Sequence, residues 1–171
     1  MHAGARRPHG VLGRLTFIVP LVLLAAGCGP PVDLKASLLV EDASSGWYDE
    51  GIVDGKNKLV PTVAFVLKNV SSRTVASVQL NVVFRRVGDP DEWDASFLRG
   101  IDADGLAAGA KTPRLTIRAK LGYTGEQPRA DMLQHSQFVD ARVKIFAKHG
   151  SAQWVELGDF PIERLLLTRH Y

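Results

Sequence analysis

Several stretches of this chain hold residue types that could do chemistry. Asp89, Asp91, Glu92 and Asp94 crowd around Pro90 and Trp93, and a hard cation such as calcium wants several carboxylate oxygens converging at about 2.3–2.6 Å. The spacing lacks the glycine and the distal glutamate of a calcium loop, so a solvated hairpin tip is the expectation. Asp102-Ala103-Asp104-Gly105 starts as a calcium loop would, but Leu106 and Pro113 occupy its fifth and twelfth positions, and neither offers a side-chain oxygen. His135, His149 and His170 stand too far apart for the His-x-x-x-His spacing that puts two imidazoles on one helix face. Ser136 beside His135 pairs a hydroxyl with an imidazole, yet neighbours in a strand or helix point apart, and no Gly-x-Ser-x-Gly elbow is present. Nothing in the carboxylate spacing singles out a glycosidase pair. The expectation is a non-enzyme with no catalytic residue, no metal and no cofactor.

Aromatic residues in polar surroundings point elsewhere. Trp47-Tyr48 lies between Gly46 and Asp49, and Trp93 lies among acids. Large aromatics in loop-like settings are enriched where surfaces take partners or sugars, which makes Trp47, Tyr48 and Trp93 a candidate binding surface. The competing reading, favoured by the residue types, has each of them capping an end of a hydrophobic core.

The sole cysteine, Cys28, closes a leader of defined layout. Arg6, Arg7 and Arg14 supply positive charge, Leu15 to Ala26 is apolar apart from Thr16 and Pro20, and Ala25-Ala26-Gly27 are small. Charge, apolar core and small residues in that order make a secretory signal. An apolar run of about 12 residues falls short of the roughly 20 needed to span a bilayer. Leu24, Ala25, Ala26, Gly27 and Cys28 resemble the lipobox of bacterial lipoproteins, with Ala25 where leucine is commoner. The resemblance implies removal of residues 1–27, a diacylglycerol on Cys28 and usually an acylated new N-terminus. Residues 28–32 then form a short tether and 33–171 the domain. Two or three acyl chains, at about 0.8 kcal/mol per buried methylene, anchor stably where one does not. The thioether uses up the only thiol, which excludes a disulfide, a thiolate metal site and a cysteine nucleophile in the mature monomer. Gly29 stands where an aspartate would resemble an inner-membrane retention signal, so the expected address is the bacterial cell envelope, at the periplasmic face of the outer membrane if the host is Gram-negative.

Charge agrees with that placement. The leader holds three of the 21 basic residues and none of the 18 acidic ones, so the mature chain carries 18 of each. With no net charge, it has no general attraction for nucleic acid, and none is expected as a partner. The expected partners are the membrane, through the lipid, and an envelope protein or glycan.

Any such surface must be positioned by strands. Leu34, Ala36, Leu38 and Val40 alternate with mostly polar residues, and Val63, Phe65 and Leu67 alternate with Thr62, Ala64, Val66 and Lys68. Val78, Leu80, Val82 and Phe84 repeat the pattern, followed by Leu115, Ile117, Ala119 and Leu121, and by Val139 to Ala147. Trp154 to Ile162 makes a last strand and Trp93 to Leu98 a weaker one, with Leu165-Leu166-Leu167 either finishing the last strand or docking as a short helix. Period two marks half-buried strands, and one-sided apolar faces call for two sheets packed face to face or a sheet closed on itself. Turn residues at 69–73, 88–91, 107–111 and 148–151 separate the runs. Pro128 can occupy a first helical position, with Ala130, Met132 and Leu133 giving an apolar face. The expected fold is all-β, an immunoglobulin-like β-sandwich of about seven strands with one short helical segment near 128–136.

The segment Phe65-Val66-Leu67-Lys68-Asn69-Val70-Ser71-Ser72, with Val75, Val78, Leu80, Val82 and Phe84 after it, resembles a strand–turn–strand of small cell-envelope domains, including the FxLYD group. Arg85-Arg86-Val87-Gly88 departs from that group's aromatic-and-aspartate ending. The resemblance implies an immunoglobulin-like fold and brings no catalytic residue. Asn69-Val70-Ser71 spells a glycosylation acceptor, but a turn is the expectation. The resulting function is a lipid-anchored binding or assembly module. The alternatives are an accessory subunit of an envelope transport complex and an enzyme whose site is built from loops.

Overall fold

A computed structural model describes residues 1–2 and 32–168. The expected leader cleavage point, lipid attachment at Cys28 and His170 lie outside the described residues. The unit from Pro31 onward is a two-layer all-β sandwich. A helical turn α1 (Leu34–Ser37) leads into β1 (Leu38–Val53) and β2 (Lys56–Asn69), followed by β3 (Val78–Arg86), β4 (Asp94–Ile101), β5 (Leu115–Arg118) and β6 (Tyr123–Gly125). Helix α2 (Arg129–Gln134) precedes β7 (Ala141–His149), β8 (Val155–Pro161) and β9 (Leu166–Leu167). One sheet runs β5-β2-β1-β9 with β6 also on β2, and the other runs β4-β3-β7-β8.

The core lies between the sheets. Val78, Leu80, Val82 and Phe84 of β3 are fully buried, as are Val143, Ile145 and Ala147 of β7. They face Trp47, Val63, Phe65 and Leu67 of the other layer in one contiguous cluster. Burial of these side chains against a second sheet is what the period-two pattern requires.

Three expectations are corrected. Residues 34–37 are helical because Asp33 caps the turn, its carboxylate accepting from Ala36 N–H at 3.2 Å. Leu34 and Leu38 remain buried at a spacing of four, which a helical turn satisfies as well as a strand does. The polar stretch 41–53, not expected to be a strand, extends β1 to 16 residues and pairs along β2 with two register shifts. Asp54 and Gly55, both at positive φ, close that hairpin as an Asp-Gly turn does. Leu166–Leu167 neither finishes β8 nor forms a helix; it is a separate strand in the other sheet, parallel to Trp47 and Tyr48. Among the described residues the strands number nine rather than about seven, since β6 and β9 are too short to show alternation.

Asn69 shapes the turn after β2. Its fully buried side chain donates from Nδ2 to the carbonyls of Arg73 (2.7 Å) and Leu106 (2.8 Å). Its Oδ1 accepts from the Ser71 backbone N–H (3.0 Å) and hydroxyl (2.7 Å).

Candidate functional site

Trp47, Tyr48 and Trp93 do not form one surface. Adjacent residues of a strand point to opposite faces, so Trp47 enters the core, fully buried, while Tyr48 lies half-buried on the outside of the five-stranded sheet. There the Arg118 guanidinium sits 3.5 Å above the Tyr48 ring, a cation–π contact. Trp93 is half-buried and packs on Trp47 at 6.2 Å between ring centroids. The expectation of Trp47 on a binding surface is therefore corrected, because the same strand pairing that exposes Tyr48 turns Trp47 inward.

What the sequence did not single out is the cluster around Trp47. Phe138 meets it edge-on at 4.7 Å and Tyr123 tilts against it at 5.5 Å. Tyr123 also contacts Trp93 at 5.2 Å and Phe138 at 4.8 Å. Strand β6 brings Tyr123 and the segment after α2 brings Phe138, so residues far apart in sequence share one aromatic core end. The signal was faint: Tyr123 stands in a three-residue strand and Phe138 in no regular element.

Tyr123 and Phe138 of this cluster also line a cleft of about 200 Å³. Tyr123, Phe138 and Met132 give it apolar walls, and Thr124, Gln127, His135 and Gln137 line it with polar groups. The Tyr123 hydroxyl donates to the Val139 carbonyl at 3.1 Å, and burial, the largest cause, pushes its phenol above the ordinary value despite the opposing Arg86 charge. His135 Nδ1 accepts from the Gln137 N–H at 3.2 Å, which fixes the ring at the mouth of the cleft. Arg164 clasps the wall from behind. It pairs with both Asp140 oxygens (2.7 and 3.2 Å) and donates to the Leu133 carbonyl at 2.9 Å.

The other candidates disperse. Ser136 and Asp131 are exposed and take no part in lining the cleft beside His135. Asp89 pairs with Arg86 at 2.7 Å and accepts from the Asp91 N–H at 3.0 Å. Asp94 turns away to accept from the backbone N–H groups of Lys120 and Leu121, tying β4 to the opposite layer. Among the described residues, no three His, Cys, Asp or Glu side chains converge as a metal site. Asp102 faces Arg99 across 3.6 Å, both largely exposed.

The outer face of the four-stranded sheet is a second surface. Phe97 on it is 70% exposed and stacks at a tilt on Trp154, 6.0 Å between centroids. Lys148 Nζ lies 4.9 Å over the Trp154 ring.

No family model matches this chain, and no curated protein matches it. Among solved structures it is similar to Northeast Structural Genomics Consortium target SoR45, with a TM-score of 0.44 and 10% identity over 75% of this chain and 88% of that one. It is also similar to AT1g01470 from Arabidopsis thaliana, with a TM-score of 0.41 and 14% identity over 80% and 85% of the two chains.

Proposed function

We propose that the chain is a lipid-anchored cell-envelope protein whose sandwich, of immunoglobulin-like kind, is a non-enzymatic binding module, and that the cleft beside α2 receives its ligand. The observation that supports this reading is the cleft itself: an aromatic floor with amide, imidazole and hydroxyl groups around it. Apolar walls with a few placed polar groups are what small-ligand sites are made of. Aromatic faces with amide donors and acceptors suit a glycan of the envelope, and the lipid resemblance at Cys28 puts the module in reach of one. His135 serves here as a hydrogen-bonding group of the rim.

A photo-reactive residue placed at Gln137 of the full chain tests this in intact cells. Irradiation should yield adducts that a Thr124→Trp change, which fills the cleft from an exposed position, abolishes. A glycan partner gives a ladder of masses and an envelope protein a discrete band. Adduct formation no greater than from a photo-reactive residue at the remote turn position Ala108, or unaffected by Thr124→Trp, would overturn the assignment of the cleft.

A further inference from the structure

The outward face of the four-stranded sheet carries a pattern that the cleft does not use. Arg99 on β4, Gln79 on β3 and Lys148 on β7 stand in one cross-strand row. The next outward row is Phe97, Asn81 and Phe146. Arg85 and Arg142 are directly opposite each other further along. Arg142 is paired with Asp159 at 2.9 Å and Lys144 with Glu156 at 3.0 Å. Arg85 makes no ion pair among the described residues, and its buried Nε finds no acceptor. Like charges directly opposite on a sheet destabilise it; Asp159 offsets Arg142 through Nε, and Arg85 has no carboxylate partner among the described residues, so the pair keeps an excess of positive charge. Across the face and its margins, Arg85, Arg86, Arg99, Arg142, Lys144 and Lys148 stand against Asp89, Asp102, Glu156 and Asp159, which leaves an excess of basic groups although the mature chain as a whole is neutral.

The chain's entry adds the geometry. Lys35 of α1 donates to the Glu156 carbonyl at 2.6 Å, so the N-terminal end of the sandwich lies beside the start of β8, two residues from Trp154. Only three residues lie between Cys28 and Val32, and covalent geometry limits the four Cα–Cα steps to about 14 Å when fully extended.

We infer that this face docks on the anionic headgroup layer of the membrane that holds the lipid anchor, with Phe97 and Trp154 entering the interface and Arg85 and Arg142 taking lipid phosphates. The inference rests on the proposed lipid anchor. Trp at the headgroup level and basic side chains near anionic lipid are each favourable there. A short tether raises the face's effective concentration at the surface, so weak individual contacts suffice.

The full acylated protein in vesicles with brominated acyl chains tests this. Tryptophan quenching should be strong with phosphatidylglycerol in the bilayer and weak with phosphatidylcholine alone, and Trp154→Phe should remove most of it, since Trp47 is sealed in the core and Trp93 packs against Trp47. Arg85→Gln and Arg142→Gln should each reduce the docked-to-undocked ratio about fivefold, the equivalent of about 1 kcal/mol per basic group. Phe97→Ser, at an exposed position, should reduce quenching while leaving the far-UV spectrum unchanged. Flotation of the same vesicles separates the two ideas. Protein that floats but is quenched equally in both lipids, or not at all, overturns the docking face and leaves the anchored module standing. Protein that fails to float and lacks acyl mass overturns both. A dimer by light scattering that Phe97→Ser dissociates would assign the face to a second copy and overturn the membrane contact.

Discussion

Asn69 shows how one side chain can organise a junction that hydrophobic pattern alone leaves loose. Its amide donates to two carbonyls and its oxygen accepts from Ser71 twice, so the turn after β2, the 106 strand bridge and the sheet end are tied through one buried group. Removing it leaves buried carbonyls without donors, which costs more than the bonds contribute in net terms. Asn69→Ala is expected to lower stability by about 3 kcal/mol, read as a shift of the denaturant midpoint at unchanged slope. The same commitment of Nδ2 inside the fold fits a turn at Asn69-Val70-Ser71. On β3 the contrast is between neighbours facing opposite ways. Phe84 is fully buried, and Phe84→Ala should cost about 3–5 kcal/mol. Asn81, on the opposite face, is half-buried between Phe97 and Phe146, with an Oδ1 that finds no donor. Deleting an unpaired acceptor offsets lost packing, so Asn81→Ala should stay within about 0.5 kcal/mol of wild type or stabilise slightly. Equal costs at the two positions would mean that β3 does not face the core as described.

Elements with long alternation were legible from residue types, and those defined by pairing were not. Strands β3 and β7 alternate cleanly and each lies where Val78 to Phe84 and Val139 to Ala147 indicate, with Val139 left just outside. Helix α2 occupies Arg129–Gln134, as Pro128 and the Met132-Leu133 pair suggest. The long polar half of β1 escaped because its order comes from lying along β2, where only one face is apolar and two register shifts break the period. The Asp54-Gly55 turn was the available signal for it. The cleft was unreadable for a related reason: Tyr123 and Phe138 meet Trp47 only through sheet pairing, and Trp47 itself points inward because Tyr48 points out. Strand β9 depends on close approach. A Cβ on Gly46 would stand 2.7 Å from the Leu165 carbonyl oxygen and 2.8 Å from Leu167 Cγ, at the place where Trp47 N–H donates to Leu165. Gly46→Ala is therefore expected to cost about 1–3 kcal/mol. Hydrogen exchange should show the loss first at the Trp47 amide, as β9 is displaced. Unchanged protection there would mean that β9 is not held by this contact.

Across the whole domain, surface charge adds to the backbone pairing that joins its segments, and this sets how stability responds to pH. Glu41 of β1 meets Lys111, from the connection before β5, at 2.6 Å and Lys68 of β2 at 3.1 Å. The hydrogen bond from Lys111, followed by that from Lys68, holds the Glu41 carboxyl below its ordinary value of 4.5. The Asp91 backbone N–H, and then Arg86, do the same for Asp89. A carboxyl with a lowered folded value binds fewer protons folded than unfolded. Its contribution is thus fully present above the unfolded value and is lost as pH falls through the folded one. Lys111 is raised, chiefly by its bond to Glu41, so its contribution is present below its ordinary value of 10.5 and is lost as pH rises through the folded one. Stability should therefore pass through a plateau and fall at both ends. Glu41→Gln is expected to flatten both limbs: the carboxyl no longer titrates, and Lys111 loses the partner that chiefly raises it, so less stability is lost at alkaline pH. Thermal midpoints of wild type and variant measured from pH 3 to beyond pH 10 check both limbs together. Both groups are near the surface, so about 1 M salt, with a screening length of about 3 Å, should shrink the difference between the two proteins. Superimposable acid limbs at low salt would show that the bridge from β1 to Lys111 contributes nothing to holding the β5 connection against the sandwich.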